Sequence, residues 1–216
     1  MHTPQASQTP IDAARQAHRH FLNRYYGISR HFYDLTRKAF LFGRDSLLTE
    51  LALDTTWHSL IEIGVGTGRN LRVLHHLRPD AKLGGIDASD QMLQHARTRC
   101  PWATFAHGFA EDVDYLAAFG QAPDRILFSY CLSMFQDPRT ALEHARQQLA
   151  PLGKIAIVDF ADLSGLPRIA QESLRRWLSL FHVTPLQTSL FDGLPHTLRF
   201  GPTRYYLCAT LPRNDR

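Results

Sequence analysis

The chain has 216 residues, a formal net charge of +4 and 44% hydrophobic residues, which is enough for one domain with a sizeable core and an appended segment. No apolar run approaches the roughly 18 residues of a membrane-spanning helix, and the polar start of the chain lacks the apolar stretch of a secretory signal. The three cysteines, Cys100, Cys131 and Cys208, have no paired spacing, which argues against a disulfide framework or a zinc site. We therefore expect a cytosolic protein with no bound metal.

The part of the chain before the first predicted strand is expected to form a helical arm. Residues 1–10 are rich in Pro, Gln, Ser and Thr and are predicted to be disordered. Residues 11–53 carry helical patterns, with Asp45 or Ser46 as the expected cap of the last helix. The arm precedes a core domain at residues 54–216.

This arm is unusually basic and aromatic. Between Ile11 and Arg44, seven basic residues stand against two acidic ones, with seven aromatic residues interleaved. Such a composition is typical of nucleic-acid binding or of contact with an anionic membrane surface. The alternative is a solvated helix face that packs on the main domain.

The stretch from Leu60 to Asn70 reads Leu-Ile-Glu-Ile-Gly-Val-Gly-Thr-Gly-Arg-Asn and predicts a buried strand that turns directly into a helix over a ligand. Glycines at alternate positions remove the Cβ atoms that would keep a ligand away from the backbone, and the helix start offers free N–H groups. A dinucleotide fingerprint needs its third glycine one position later, and Glu62 would repel a pyrophosphate but suits a cationic ligand. The alternative is an ordinary tight turn between a strand and a helix.

A second carboxylate, Asp87, closes the next apolar run, Lys82–Asp87. It lies about as far downstream as a ribose-binding carboxylate in a nucleotide-binding βαβ unit. The following residues predict a helix with Ser89 or Asp90 as its N-cap. The alternative is that Asp87 only caps that helix.

Short apolar runs alternate with helical patterns through the rest of the chain, which predicts a doubly wound α/β fold with a mainly parallel sheet. Ligands bind such sheets at the carboxyl ends of the strands. The predicted strands are 59–63, 82–87, 103–106, 125–130 and 154–159; the predicted helices are 68–77, 90–99, 111–119, 138–150 and 167–181; a terminal β-hairpin is predicted at 197–200 and 205–211.

The pattern apolar-Glu-apolar-Gly-x-Gly-x-Gly at Gly64, Gly66 and Gly68 resembles motif I of the class I S-adenosylmethionine-dependent methyltransferases. The resemblance implies a Rossmann-like, seven-stranded sheet with an antiparallel last strand. It also implies S-adenosylmethionine as the cofactor, with its methionine ammonium near Glu62 and its ribose on Asp87. Further cofactor contacts are implied at Tyr33, Arg37, Arg44, Asn70, Ala88, Met92, Ser129 and Tyr130.

One position departs from this class. An acidic residue often follows the glycine of the third-strand loop and reaches the adenine amine, but this chain has Phe109 there. The adenine would then be held by backbone groups, by packing of Phe109 or Ala110, or by Glu111. The departure concerns individual adenine contacts and leaves the class unchanged.

Stretches on both sides of motif I resemble the bacterial betaine-lipid methyltransferases, which trimethylate the amine of diacylglyceryl-homoserine. The resemblance implies sequential N-methylation of a lipid headgroup amine, with the arm in peripheral contact with the anionic inner face of the membrane. Tyr33 and Tyr130 are then expected to form an aromatic wall around the reacting nitrogen, with Asp159 and His182 near the headgroup. The matching stretches are Tyr33–Asp45, Leu127–Met134, Val158–Phe160 and Phe181–Pro185.

Several alternatives remain open on the sequence. The acceptor could be phosphatidylethanolamine or a soluble small molecule, since residues 186–195 match the betaine-lipid group poorly. Tyr130 could pack beneath the cofactor instead of facing the acceptor. An RNA methyltransferase is disfavoured because strand four ends in Ser-Tyr-Cys-Leu and not in an Asn/Asp-Pro-Pro-aromatic loop, so no nucleic-acid partner is expected.

Overall fold

The structure is a computed structural model in which residues 40–213 are described. The predictions for residues 1–39 lie outside the described residues. They include the disordered start, most of the helical arm, and the sites at Tyr33 and Arg37.

Residues 40–213 form six α-helices and seven β-strands, with short 3₁₀ turns between some of them. The elements in chain order are α1 (Arg44–Leu53), β1 (Ser59–Ile63), α2 (Arg69–Leu77), β2 (Lys82–Asp87), α3 (Asp90–Arg99), β3 (Thr104–His107), α4 (Tyr115–Phe119), β4 (Arg125–Ser129), α5 (Pro138–Gln148), β5 (Lys154–Phe160), α6 (Arg168–Ser179), β6 (Thr197–Phe200) and β7 (Tyr206–Pro212).

The seven strands form one sheet in the order β3-β2-β1-β4-β5-β7-β6. Strands β1 to β5 pair in parallel, whereas β7 runs antiparallel to both β5 and β6. This arrangement confirms the predicted seven-stranded sheet and its antiparallel last strand. The strand order reverses between β1 and β4, which places a ligand-binding crevice at the carboxyl ends of these two strands.

Helices cover both faces of the sheet, which explains why β1 and β4 are buried at every position. On one face, α4 and α5 pack with Ile61 and Phe128. On the other face, α1, α2, α3 and α6 pack with Leu60 and Leu127. The described helix of the arm is therefore part of the core, and the indole N–H of Trp57 donates to the Leu51 carbonyl at 2.7 Å.

Most predicted bounds agree with the structure to within one or two residues, and two local predictions are wrong. Helix α4 begins at Tyr115 and not near Glu111, because the Asp114 side chain caps it by accepting the Ala117 N–H at 2.9 Å. Helix α1 is not capped by Asp45 or Ser46, since its N-cap is Gly43 in the left-handed conformation with no side-chain cap.

The cap of α3 agrees with one of the two predicted alternatives. The Ser89 hydroxyl accepts the Met92 N–H at 3.4 Å, so Ser89 and not Asp90 is the N-cap. Among the helices of residues 40–213, none has the length and apolar character needed to cross a bilayer.

Candidate active site

The glycine loop follows β1 at the carboxyl edge of the sheet. Gly64, Gly66 and Gly68 have φ angles of 65°, 55° and 77°. Residues other than glycine rarely adopt this left-handed backbone conformation. A Cβ atom on Gly64 would lie 2.7 Å from the Cys131 Cβ, and one on Gly68 would lie 2.9 Å from the Cys100 Sγ. The sequence thus uses glycine here for backbone shape and for close packing against two thiols.

Asp87, the last residue of β2, connects this loop with the next one. Its Oδ2 accepts the Gly66 N–H at 2.8 Å and its Oδ1 accepts the Ser89 N–H at 2.9 Å. The residue is only 9% exposed and lies at the edge of the sheet between the two loops. Because the cap of α3 is Ser89, the structure does not give Asp87 the capping role considered from the sequence.

Glu62 lies under the start of α2. Its side chain is buried, and its Oε1 accepts the Asn70 Nδ2–H at 2.6 Å. Asn70, in the first turn of α2, is also buried. The β1 strand therefore directs a carboxylate towards the beginning of the following helix, on the same side of the sheet as the α1–α2 layer.

An ion pair that the sequence analysis missed joins this helix start to α1. The Arg69 Nη1 and Nη2 groups donate to the Asp45 Oδ1 and Oδ2 at 2.6 and 3.1 Å. The hydrogen bond from Arg69 lowers the pKa of the Asp45 carboxyl. The partners are 24 residues apart, so no local spacing could have indicated the pair.

Tyr130 comes directly after β4 and has an unusual backbone. Its φ of 55° is rare for a bulky residue and marks local strain of a kind that concentrates at functional sites. The ring is buried and packs edge-to-face on Phe160 at a centroid distance of 4.8 Å, and the hydroxyl donates to the Phe42 carbonyl. Burial raises the pKa of this hydroxyl far above its usual range, so it remains protonated.

Asp159 is fully buried at the carboxyl end of β5. Its Oδ2 accepts the Ser133 N–H at 3.1 Å and its Oδ1 accepts the Phe160 N–H at 2.8 Å. Burial raises the pKa of this carboxyl to about 6. The predicted headgroup residue thus holds the backbone of the loop after β4 through its Oδ2, whereas its Oδ1 bonds the next residue of β5.

His182 is exposed, with φ 54°, just after α6. Two residues later the Thr184 N–H donates to the Ser133 carbonyl at 2.7 Å. The segments of Asp159 and His182 therefore both contact the loop after β4 at Ser133. The Asp159 side chain is buried, whereas His182 is exposed.

The residues expected near the adenine lie at the ends of β2 and β3. Ala110 is buried, whereas Phe109 and Glu111 are half-buried. Met92 is buried in the first turn of α3, and the Ala88 carbonyl is 3.1 Å from the His107 Nε2. Ser129 is the last residue of β4. Arg44 is the first residue of α1, and its Nε lies 3.6 Å from the Asp45 Oδ1. Across residues 40–213, no group of three or more His, Cys, Asp or Glu side chains is placed to hold a metal ion.

Comparisons with known proteins agree with this geometry. A family model described as a methyltransferase domain matches residues 61–155. The chain is similar to the trans-aconitate 2-methyltransferase of Variovorax paradoxus, with 34% identity over 98 residues that cover 45% of this chain and 37% of that protein. It is also similar to the demethylmenaquinone methyltransferase of Tropheryma whipplei, with 27% identity over 139 residues that cover 60% of this chain and 54% of that protein. The chain therefore spans about half the length, or less, of these curated relatives.

Solved structures share the fold at low identity. The plantazolicin methyltransferase BamL, solved in complex with a triazolic desmethylPZN analog and SAH, superposes with a TM-score of 0.67 at 16% identity, over 92% of this chain and 96% of that one. An O-methyltransferase family protein from Burkholderia thailandensis gives 0.66 at 17% identity, over 88% of this chain and 61% of that one. The chain thus has the Rossmann-like fold of these methyltransferases, and its residues 61–155, which include the glycine loop and Asp87, are similar to a methyltransferase domain.

Proposed function

We propose that this chain is an enzyme that transfers methyl groups from S-adenosylmethionine to an acceptor beside the carboxyl ends of β4 and β5. One observation carries the proposal: two buried carboxylates, Glu62 as the second-last residue of β1 and Asp87 as the last residue of β2, lie on neighbouring strands beside a left-handed glycine loop. Glu62 would face the methionine ammonium, and Asp87 would hold the ribose hydroxyl groups. The part of the cofactor between these two ends would pack on the backbone of Gly64, Gly66 and Gly68, where no side chain intervenes.

The remaining contacts proposed for the cofactor come from the ends of the neighbouring strands and from the start of α1. Half-buried Phe109 and buried Ala110 would pack on the adenine ring, and Glu111 is available one position later for the adenine amine. The further proposed contacts are Arg44, Asn70, Ala88, Met92, Ser129 and Tyr130, together with Tyr33 and Arg37 from the residues that the structure does not describe.

The chemistry makes modest demands on the protein. The cofactor supplies an electrophilic methyl group, and transfer is an in-line displacement that depends on positioning and on exclusion of water. An amine acceptor can lose its proton to bulk water before it binds, so a strong general base is not required. Tyr130, whose hydroxyl remains protonated, would serve as part of an aromatic wall for a cationic centre.

For the acceptor we infer a lipid headgroup amine, with diacylglyceryl-homoserine as the first candidate. The resemblance of residues 33–45 and 181–185 to the betaine-lipid group supports this. A surface at the same edge supports it as well: Phe40 and Phe42 are 42% and 54% exposed, and the Phe40 ring lies 5.5 Å from that of Trp177. Exposed aromatic side chains beside basic ones suit the anionic inner face of a membrane.

Helix α6 extends this surface. Ile169 and Leu180 are 82% and 69% exposed, and Arg168 and Arg176 are exposed on the same helix. The Trp177 ring packs edge-to-face on Phe181. The chain returns to the core five residues later, where Leu186 is buried. In this proposal the lipid chains remain in the bilayer, and the headgroup reaches Tyr33 and Tyr130.

In the same proposal Asp159 and His182 act at the headgroup through one loop. Asp159 would set the position of the Ser133 backbone, which also accepts the N–H of Thr184. Asp159 is then a positioning residue, whereas exposed His182 is available for direct contact.

A soluble small-molecule acceptor is the second candidate. It is favoured by the similarity to the Variovorax paradoxus protein, a trans-aconitate 2-methyltransferase. The aligned segment of that relative spans 45% of this chain. The family match at residues 61–155 covers the glycine loop and Asp87 but ends at the start of β5, so it constrains the cofactor more than the acceptor.

The cofactor assignment is tested by calorimetry with S-adenosylhomocysteine. Asp87→Ala should weaken binding by about 1.5–3 kcal/mol, or roughly tenfold to a hundredfold. Because Asp87 also holds two backbone N–H groups, the same titration is repeated with the 2′-deoxyribose analogue. The analogue should bind wild type more weakly than the parent ligand, and this difference should vanish in Asp87→Ala.

Asp80→Ala, an exposed carboxylate between α2 and β2, is the matched control and should bind like wild type. Wild-type protein that binds neither ligand would overturn the methyltransferase proposal. A difference between the ligands that persists in Asp87→Ala would overturn the ribose role alone.

The acceptor is tested by incubating the protein with labelled S-adenosylmethionine and separate acceptors: diacylglyceryl-homoserine, phosphatidylethanolamine and trans-aconitate. Mass spectrometry of the products is expected to show mono-, di- and trimethylated homoserine lipid. Methylation of phosphatidylethanolamine alone would replace the proposed headgroup, and methylation of trans-aconitate alone would replace the lipid proposal with the small-molecule one.

A further inference from the structure

A continuous chain of hydrogen bonds runs from α1 to Glu62. Asp45 accepts both terminal N–H groups of Arg69, and the Arg69 Nη1 also donates to the Asn70 Oδ1 at 3.2 Å. The Asn70 Nδ2 then donates to the Glu62 Oε1 at 2.6 Å. Four side chains from α1, α2 and β1 are thereby connected in one line.

Arg69 determines which way the Asn70 amide points. An asparagine side chain has one accepting oxygen and one donating nitrogen. Because Arg69 can only donate, it is matched by the Asn70 oxygen, which leaves the nitrogen directed at Glu62. Without the guanidinium, the buried amide loses the partner that selects this orientation.

The two-pronged geometry sets this ion pair apart from an ordinary surface pair. Exposed pairs between flexible side chains contribute little, but a guanidinium bound to both oxygens of a carboxylate has a fixed plane. Asp45 lies in the first turn of α1. Two residues before that helix begins, the Phe42 carbonyl accepts the Tyr130 hydroxyl. The start of α1 is therefore attached on both sides of the crevice, above β1 through Arg69 and above β4 through Tyr130.

We propose that Asp45, through Arg69 and Asn70, positions the Glu62 carboxylate for the ammonium group of the cofactor. Helix α1 is thereby coupled to the amino-acid end of the cofactor and not to its nucleoside end, which is held by Asp87 and the loops after β2 and β3. Asp45 and Arg69 are positioning residues, and they need not touch the ligand. The inference rests on the proposed function, because it assigns the ligand of Glu62.

The test compares two ligands that share the nucleoside end. S-adenosylhomocysteine carries the amino-acid end, whereas methylthioadenosine lacks it. Arg69→Met and Asp45→Ala should weaken S-adenosylhomocysteine binding by about tenfold, the cost of one lost hydrogen bond to a charged group. Both variants should bind methylthioadenosine within about twofold of wild type, a difference of only about 0.4 kcal/mol. This second ligand also reports that each variant is folded.

Two further variants sharpen the result. Arg69→Lys keeps a positive charge near Asp45 but cannot make all three bonds, so its loss of S-adenosylhomocysteine affinity should be intermediate. Glu50→Ala removes another ion pair of the same helix, the one with Arg199 at 2.6 Å, which has no link to Glu62, and should leave both affinities unchanged.

The outcomes separate the two proposals. Equal weakening of both ligands in Arg69→Met would show a purely structural role and overturn the positioning chain, as would unchanged affinities in both Asp45→Ala and Arg69→Met. In either case the methyltransferase proposal stands as long as wild type binds S-adenosylhomocysteine. Wild-type protein that binds neither ligand would overturn that proposal itself.

Discussion

The two halves of the carboxyl edge of the sheet are built differently. At β1 and β2, the contacts stay within about one strand–helix unit. Asp87 accepts the backbone N–H of Gly66 in the glycine loop, and Glu62 accepts the side-chain N–H of Asn70 in the first turn of α2. At β4 and β5, the corresponding residues come from segments far apart in the chain. Tyr130 reaches Phe42, which is 88 residues away, and the Ser133 carbonyl accepts the N–H of Thr184 from the chain after α6.

This difference separates a locally encoded site from one that is assembled by packing. A local site has a spacing signature that survives in distant relatives, and the family match at residues 61–155 includes the whole glycine loop and Asp87. An assembled site depends on the elements packed around it, here α1 and the chain after α6. The half proposed to bind the cofactor can therefore be predicted from a motif, whereas the half proposed to bind the acceptor depends on the tertiary structure.

The largest effect is expected from Gly64→Ala, which attacks the local half. The left-handed backbone and the added Cβ, which would lie 2.7 Å from the Cys131 Cβ, should together lower the free energy of unfolding by about 2–4 kcal/mol. Gly120→Ala is the matched control, since Gly120 has φ 73° but nothing within 4 Å of an added Cβ, and it should cost only about 1–2 kcal/mol. Urea unfolding measures both, and equal losses would show that close packing against Cys131 is unimportant.

Asp159→Asn probes the assembled half through pH. Burial raises the pKa of Asp159 from 3.8 to about 6, so the folded protein binds a proton there that the unfolded chain releases. The resulting stabilisation is complete below pH 3.8 and is lost as the pH rises through 6. From pH 7 to pH 4.5, wild type should therefore gain about 2 kcal/mol relative to Asp159→Asn. A difference between the two proteins that does not change with pH in chemical unfolding would contradict this.

Tyr130 distinguishes the two roles considered for the assembled half. Tyr130→Phe removes the hydrogen bond to the Phe42 carbonyl and should cost about 1 kcal/mol of stability, with the ring kept in place. Tyr130→Ala removes the ring and should slow the later methylations most, because the more methylated intermediates rely more on cation–π contact and less on donated N–H bonds. Mass spectrometry of product ratios checks this, and equal slowing of every step would indicate a packing role.

The smallest effect is expected at the surface of α6. Arg176→Gln removes one exposed positive charge and should weaken partition onto phosphatidylserine vesicles by up to about 1 kcal/mol, less at high salt. Arg97→Gln on α3, an exposed arginine 3.7 Å from Asp90, is the control. Co-sedimentation that is equal on neutral and anionic vesicles, or absent from both, would argue against membrane contact.

Most of the fold could be predicted because burial on both faces makes parallel strands read as short apolar runs. The bounds of β1 and β2 agree with the structure residue for residue. The start of α4 was missed because Asp114, and not an earlier polar residue, offers its side chain to the helix. Local caps of this kind compete within a few residues, and composition alone does not rank them.

The site was predictable only in part, for the same physical reasons. Spacing located Glu62 and Asp87 at strand ends, and the structure confirms that both are strand residues at the carboxyl edge. Spacing could not indicate that Asp159 turns onto the Ser133 backbone, or that Tyr130 has a positive φ. The Asp45–Arg69 pair depends on how α1 packs across α2, which is a property of the tertiary structure.

The hydrogen bonds from both loops to Asp87 have a consequence for the rate of ligand binding. Its two oxygens already hold the Gly66 and Ser89 N–H groups, and a carboxylate has about four acceptor positions, so hydroxyl groups can be added without releasing the backbone. The loop is thus preorganised, and little conformational entropy remains to be lost when a nucleoside arrives. We expect the amide of Gly66 to exchange slowly with deuterium even in ligand-free protein, and association to proceed without a slow ordering step.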